Sequence, residues 1–229
     1  VQGRNIAKLT PDGELFNGWN AGGSGTTIDT NINGVAIVPS DQSIIIVGDF
    51  ITYNSTPRRQ LAKLEYNGNL VLNFHPMGST GFTGGVPLCV AIQNNYAIIG
   101  GSFTHFNGNP VGGIVRVSLS TGAIDPNFNV TGIATTTAGN RIEEILVQGS
   151  DIYVGGSFNT YNGVQRRNIA KLDSNGNLNS SFLGGFNSTV RSIVYQQTPA
   201  PFIDEAGAAN LYIGGDFTAH SYGSTITNV

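Results

Sequence analysis

The chain contains three lysines in its 229 residues, and they stand in one column. Lys8, Lys63 and Lys171 each precede a leucine, in the hexads Arg4 to Leu9, Arg59 to Leu64 and Arg167 to Leu172. A fourth, degraded hexad, Gly112 to Val117, puts Arg116 at the same place. Four cations in one column could form a ring that binds an anion or an acidic glycan. The structural alternative is that each pairs with a carboxylate such as Asp49 or Asp216, or lays its stem over apolar surface. A residue repeated in every unit tends to serve that unit's own packing, so the structural reading is preferred. Arg4, Arg59 and Arg167, which open three hexads, take the same reading. A second column is aromatic. Tyr53, Phe106, Tyr161 and His220 each stand three residues after a phenylalanine, and Asn54, Asn107 and Asn162 follow the first three. Such loops suit carbohydrate or protein contact, because a ring offers apolar area and an amide offers adaptable hydrogen bonds. The competing reading, in which these rings cap the core of each unit, is preferred here too.

Other chemistry finds little footing. His75, His105 and His220 form no close-spaced pair and have no cysteine partner, so no metal site is predicted. Asp173-Ser174-Asn175-Gly176-Asn177 resembles a calcium-loop fragment, but it lacks the closing glutamate and reads better as a hairpin turn. Glu143 and Glu144 are adjacent on an expected strand, point to opposite faces and cannot make a catalytic pair by themselves. Gly22-Gly23-Ser24-Gly25 neither follows a strand nor opens a helix, as a phosphate-binding loop would. The single Cys89 excludes a disulfide framework and a cysteine zinc site. No cofactor is expected. The sequons at Asn54, Asn129, Asn179 and Asn187 are those chance produces in a chain so rich in Asn, Ser and Thr.

What positions these columns is a repeat. After each hexad comes a turn glycine (Gly13, Gly68, Gly122, Gly176) and, six residues later, an aromatic (Trp19, Phe74, Phe128, Phe182). A further apolar stretch around Val35, Val90, Ile145 and Ile193 precedes the signatures Val47-Gly48-Asp49-Phe50, Gly100-Gly101-Ser102-Phe103, Gly155-Gly156-Ser157-Phe158 and Gly214-Gly215-Asp216-Phe217. The period is about 55 residues. Short β-branched or aromatic runs bounded by Gly, Asn, Asp or Pro read as strands, and Asp12-Gly13, Asn67-Gly68 and Asn175-Gly176 read as tight turns. No helical periodicity is present. Four antiparallel strands per unit describe a propeller blade. The expected fold is therefore all-β: a β-propeller of four blades forming one domain over 1–229, with units at 1–57, 58–111, 112–165 and 166–229. The paired glycines serve either close approach of neighbouring blades or a β-bulge.

The Gly-Gly-x-Phe signature, the Arg-x-Ile-Ala-Lys-Leu strand and the Gly-x-Leu-x-x-x-Phe hairpin, seen together in Gly155 to Phe158, Arg167 to Leu172 and Gly176 to Phe182, make the unit similar to the delta-60 repeat, a β-propeller repeat family. Val47, Gly112 and an insertion between Thr198 and Asn210 depart from the pattern. The resemblance implies display or binding modules of bacterial secreted or surface proteins and of bacteriophage structural proteins.

Composition narrows the classes further. A net charge of −3 with a pI near 5.5 argues against a nucleic-acid surface, and no apolar run approaches the length of a membrane span. Val1 in place of an initiator Met is read as processing or as a slice of a longer array, whereas strands from both termini could instead close one blade. Low charge with abundant Asn, Gly, Ser and Thr suits an exterior protein. The expected function is a non-enzymatic structural or binding module on a virion or, second, on a bacterial surface, making adhesive contacts with protein partners or surface glycans. The alternatives are a glycan-active enzyme with its site at the axis mouth and a purely assembly-forming repeat protein.

Overall fold

A computed structural model describes residues 5–16, 18–19, 31–75, 79–128, 132–133, 139–197, 209–222 and 225–228. Arg4, the Gly22 to Gly25 loop, the sequon at Asn129 and the 198–208 part of the insertion lie outside them. The described residues contain strands and turns and no helix.

The chain is an all-β propeller array; among the described residues its body is four antiparallel sheets stacked face to face, with four smaller sheets beside them. The first sheet pairs Ile32–Ile37, Ile44–Gly48 and Leu61–Leu64; the second pairs Pro87–Gln93, Tyr96–Gly101 and Ile114–Ser118. The third pairs Arg141–Gln148, Asp151–Ser157 and Ile169–Leu172, and the fourth pairs Val190–Gln197 with Ala209–Gly215. In the first three the second strand is central, and a fourth, outermost strand is reduced to one bridge: Leu64 to Leu70, Val117 to Ile124 and Leu172 to Leu178. An equivalent bridge, Leu9 to Leu15, closes a hairpin that precedes the first sheet. Each of the first three sheets therefore takes its inner two strands from one sequence unit and its outer strands from the next.

Strand alternation decides the packing, because successive side chains point to opposite faces. Ile45, Val47 and Leu61 on one face of the first sheet meet Ala97, Ile99 and Val115 of the second. Ile98, Ile114 and Cys89 on the other face of the second meet Ile142, Ile145 and Val154 of the third. Tyr153 and Ile169 then meet Val190 and Ile193 of the fourth. Each fully buried Ile, Val or Leu contributes roughly 1.5–3 kcal/mol of apolar burial. The aromatic after each hairpin crosses to the following sheet. Trp19 packs with Ile46 and Phe50, Phe74 with the second sheet and Phe128 with the third, while Phe182 packs on the cluster that holds Val190 and Ile193 of the fourth and stands edge-on to Tyr153 of its own sheet at 6.0 Å.

The paired glycines divide the two readings between them. A Cβ on the first glycine would strike the next sheet: Gly100 faces Ile142 Cγ2 at 2.6 Å and Gly155 faces Val190 Cγ1 at 2.5 Å. A Cβ on the second would strike the backbone at the start of its own inner strand, on the Val86 carbonyl oxygen for Gly101 and on that of Arg141 for Gly156. Those second glycines sit at a register shift present in all four sheets, between Ile32 and Gly34, Pro87 and Cys89, Ile142 and Glu144, and Val190 and Ser192. Val47 occupies the first-glycine position of the first sheet without loss of burial because its inner-strand neighbour has shrunk. Gly34 stands where the other sheets carry Cys89, Glu144 and Ser192, and a Cβ there would lie 2.9 Å from Val47 Cγ2.

Candidate functional site

The cation column is occupied from within. Lys63 bonds Asp41 at 3.1 Å and donates to the Leu119 carbonyl, Lys171 bonds Asp151 at 2.7 Å, and Lys8 lies 3.7 Å over the Tyr66 ring. Arg116 is buried; it bonds Asp125 at 2.6 Å and Gln93 at 2.7 Å and donates to the Ser174 carbonyl. The hydrogen bond to Asp151 holds the Lys171 ammonium above its ordinary pKa. Asp125 stays below the usual carboxylate range although burial acts against it, because the Asn127 amide and Arg116 hold its charged form. Tyr66, Leu119 and Ser174 all stand two residues beyond the hexad of the following sheet. The column thus stitches each outer hairpin to the next. Its acids are Asp41, Asp125 and Asp151 rather than Asp49 and Asp216, which bond Asn33 and Arg191.

The aromatic column is placed in the core. Tyr53, Phe106 and Tyr161 are fully buried, so their ring faces are not open to a ligand; His220 is half-buried. Tyr53 and Tyr161 donate their hydroxyls to the turn carbonyls of Gly68 and Gly176, at 2.9 and 3.4 Å, and burial pushes the Tyr161 phenol up. The neighbouring amides serve a turn. Asn54, Asn107 and Asn162 have φ of 52°, 49° and 49° and are followed by Ser55, Gly108 and Gly163, also at positive φ, which is the backbone of a type I′ hairpin turn. The strand pleat points Tyr53, Phe106 and Tyr161 inward, away from the surface of the adjoining turn.

A different pair of surfaces stands open on the rim. One is a groove of about 470 Å³ lined by Arg58, Arg59, His75, Ser79, Thr80 and Thr83. The other, of about 280 Å³, is lined by Arg166, Arg167, Leu183, Gly184, Gly185 and Ser221. They are the same place two repeat intervals apart, since Arg58-Arg59 and Arg166-Arg167 occupy equal positions, the second arginine of each pair opening its hexad. Both inner arginines are held by backbone carbonyls, Arg58 fully buried and Arg166 partly so. Arg58 donates to the carbonyls of Pro57 (2.8 Å) and Leu72 (3.0 Å), and Arg166 to those of Gln165 (2.8 Å) and Asn179 (3.4 Å); the Nε of each is buried without a partner. Among the described residues no carboxylate lies within ion-pair distance of Arg58, Arg59, Arg166 or Arg167, and burial lowers the Arg58 pKa. The intervening repeat has Val111-Gly112 instead, with Val111 buried.

Close approach builds both grooves. A Cβ on Gly81 would lie 2.5 Å from Arg59 Cβ, and one on Gly185 3.0 Å from Arg167 Cβ, so glycine lets the connecting segment lie on the arginine backbone. His75 stacks on Phe106 with centroids 5.3 Å apart, and its Nδ1 is buried and unpartnered. Burial and the nearby Arg58 charge push its imidazole below the ordinary value, the hydrogen bond to Asn107 acting against them. Arg59 and Arg167, which open their hexads, were legible in sequence as repeated residues; Arg58 and Arg166 ahead of them, and the absence of carboxylates around them among the described residues, were not.

Charge at the inner strands gathers on the third and fourth sheets. Arg141 bonds Glu143 at 2.5 Å, and Arg191 bonds Asp216 at 2.6 Å and reaches Glu143 at 3.7 Å. Glu144 is half-buried, and desolvation raises its carboxyl pKa. Cys89 is buried, and desolvation pushes its thiol far up, away from thiolate chemistry. Among the described residues no group of three or more His, Cys, Asp or Glu could hold a metal ion, and no helix is long and apolar enough to cross a membrane.

A family model described as a domain of unknown function (DUF5122) beta-propeller matches residues 40–70, 98–128 and 151–182. Each match runs through the second and third strands of a sheet into its outer hairpin, so the chain carries β-propeller repeats. No curated protein matches the chain. Among solved structures, the computationally designed Ika4 protein aligns at 12% identity and a TM-score of 0.47, over 82% of this chain and 93% of its own. The computationally designed Ika8 protein aligns at 12% identity and a TM-score of 0.44, over 80% of this chain and 46% of its own.

Proposed function

We propose that the chain is a non-enzymatic structural and binding module displayed on a virion or bacterial surface, and that its two rim grooves take acidic groups of a surface glycan or a protein partner. One observation carries this reading: Arg59 and Arg167, at equivalent repeat positions and each beside an arginine held by backbone carbonyls, line open grooves with no carboxylate in ion-pair reach among the described residues, on a chain whose column cations are otherwise partnered. A guanidinium presents a planar fork of donors that matches a carboxylate in two parallel hydrogen bonds. Ser79, Thr80 and Ser221 add hydroxyls at the groove walls. The three repeat marks, Gly-Gly-x-Phe, the hexad and the hairpin, support placing the chain with the delta-60 repeats, and through them support a display role.

The test titrates the chain with carboxylated and matched neutral oligosaccharides, and with acidic peptides, by calorimetry. Carboxylated ligands bind, neutral ones do not, and the double variant Arg59→Ala with Arg167→Ala weakens binding at least tenfold while the circular dichroism is unchanged. Equal binding of neutral ligands, or binding indifferent to both arginines, overturns the proposal. The glycan-cleaving alternative draws on Glu144, whose raised pKa suits a general acid. Hydrolysis of a bound glycan that Glu144→Gln abolishes would establish that alternative instead.

A further inference from the structure

The two rim grooves share their arginines and differ in one wall. His75 follows Phe74 in the first groove, and Leu183 follows Phe182 at the equivalent place in the second. The same frame thus carries an imidazole on one side of the array and an alkyl group on the other. The imidazole is held in a fixed orientation. His75 is 2% exposed, its ring stacks on Phe106, its backbone N–H donates to the Thr121 carbonyl at 3.0 Å, and Nε2 lies 3.4 Å from Asn107 Oδ1. That oxygen also accepts from the Gly81 N–H at 3.0 Å, so the hydrogen-bond network assigns the proton of the neutral ring to Nε2. Nδ1 is then a bare lone pair, buried and without a hydrogen-bond partner, in the wall that also holds the unpartnered Nε of Arg58.

Charge around this ring is of one sign. Arg58 and Arg59 line the groove with it, Phe106 and Asn107 cover it from the rim hairpin, and the Leu61 carbonyl approaches from the third strand of the first sheet. Among the described residues no carboxylate lies within ion-pair distance of His75. Burial and the Arg58 charge together favour the neutral ring. A proton added at Nδ1 therefore meets no anion of the protein, and a carboxylate held by Arg59 would supply one.

We infer that His75 is a specificity-determining residue that couples the first groove to protons: an anion bound there draws a proton from the medium onto the ring, so this groove holds its ligand more tightly in acid and the second groove does not. The inference rests on the reading of the grooves as anion sites and names the residue that makes them unequal. Direct contact with Nδ1 is not required, because a buried charge is screened little by water and salt and acts on an anion across the groove wall. The coupling is reciprocal: the anion raises the proton affinity of His75 by the same factor by which the proton raises the affinity of the groove for the anion. In the second groove Arg166 and Arg167 stay charged throughout and Leu183 carries no proton. His220 precedes Ser221 of that groove on the same strand, so it points to the opposite face and stands outside the lining.

Two single-groove chains separate the sites. Arg167→Ala retains the first groove and Arg59→Ala the second, and each keeps the Cβ against which Gly185 or Gly81 lies. A galacturonate trimer, ionised from pH 8 to pH 5.5, is titrated into each by calorimetry in two buffers of unequal ionisation enthalpy. The Arg167→Ala chain is expected to take up protons on binding and to bind about threefold or more tightly at pH 5.5 than at pH 8, and the Arg59→Ala chain to do neither. Adding His75→Gln to Arg167→Ala is expected to remove the proton uptake. Proton NMR of the Arg167→Ala chain reads the same coupling without altering His75: of three imidazole signals, the one with nuclear Overhauser contacts to the Phe106 ring is expected to move its titration midpoint upward when the trimer is added. Binding at the first groove with no proton uptake and an unmoved His75 midpoint, or equal uptake at both grooves, overturns this inference and leaves the grooves as anion sites. No binding to either chain overturns the groove reading itself, and this inference with it.

Discussion

Tyr153 and Tyr212 hold the same place in the third and fourth sheets, yet one is 6% exposed and the other 57%. The residue type, strand and register are alike, since Tyr153 pairs Leu146 and Tyr212 pairs Val194. What differs is the neighbour. Tyr153 is covered by Phe182 and the inner strand of the fourth sheet, and among the described residues no sheet lies against Tyr212. Gly155 and Gly214 repeat the lesson, the first pressed by Val190 and the second facing open space. In a stacked array stability is a sum of sheet and interface contributions, so equal sequence columns carry unequal energies according to position in the stack.

The largest expected effect breaks the tyrosine comparison directly. Tyr153→Ala removes a buried ring and is expected to cost about 3–5 kcal/mol, whereas Tyr212→Ala costs under about 0.5 kcal/mol at concentrations where the chain is monomeric. Urea unfolding of the two variants checks it, and equal losses would show that Tyr212 is covered in solution.

Next in size is the exchange at the first interface. Gly34→Ser places a Cβ 2.9 Å from Val47 Cγ2 and is expected to cost about 1–3 kcal/mol. Adding Val47→Gly restores the arrangement of Ser192 over Gly214, and the double variant is expected to be less destabilised than the sum of the singles. Strict additivity in the cycle would mean that the two sites are not coupled.

A smaller gain is expected on the rim. Ser55 holds φ of 60° where Gly108 and Gly163 hold 78° and 75° in the sister turns. Ser55→Gly is expected to relieve that strain and raise stability by about 0.5–1 kcal/mol, read as a higher urea midpoint at unchanged slope. A loss of stability would mean that chain entropy outweighs the strain at this turn.

The smallest effect separates the two grooves by pH. His75 lines the first groove and Leu183 takes its place in the second. Burial lowers the His75 pKa, so the unfolded chain binds a proton more readily than the folded one. The stability this contributes is fully present above the unfolded value of about 6.5 and is lost as pH falls through it toward the folded pKa. Urea midpoints between pH 8 and pH 5 should fall with acidity, and His75→Gln should flatten the fall.

Architecture was legible because it is written in local chemistry repeated at a fixed period. Alternating apolar residues, turn glycines and the hexad each act within a few residues of chain, and they specify strands, turns and the stacking of sheets without reference to distant contacts. The two tasks of the Gly-Gly pair were legible as alternatives and became distinct only when the next sheet was seen against Gly100 and the inner-strand carbonyl against Gly101.

The candidate site behaved differently. Arg59 and Arg167 stood out as repeated residues, but a column shows equivalence between units and says nothing of what surrounds each member. Lys63, Arg116 and Lys171 found carboxylates from elsewhere in the fold, while Arg58 and Arg166 found backbone carbonyls alone. Tyr53 and Tyr161 turned inward because strand pleat and hairpin register set side-chain direction, which aromatic identity does not encode. The sequence by itself determined the repeat, its strands and its turns, because these depend on neighbours along the chain. Exposure, pairing and the open end faces depend on neighbours across the stack, and only the tertiary structure decided them.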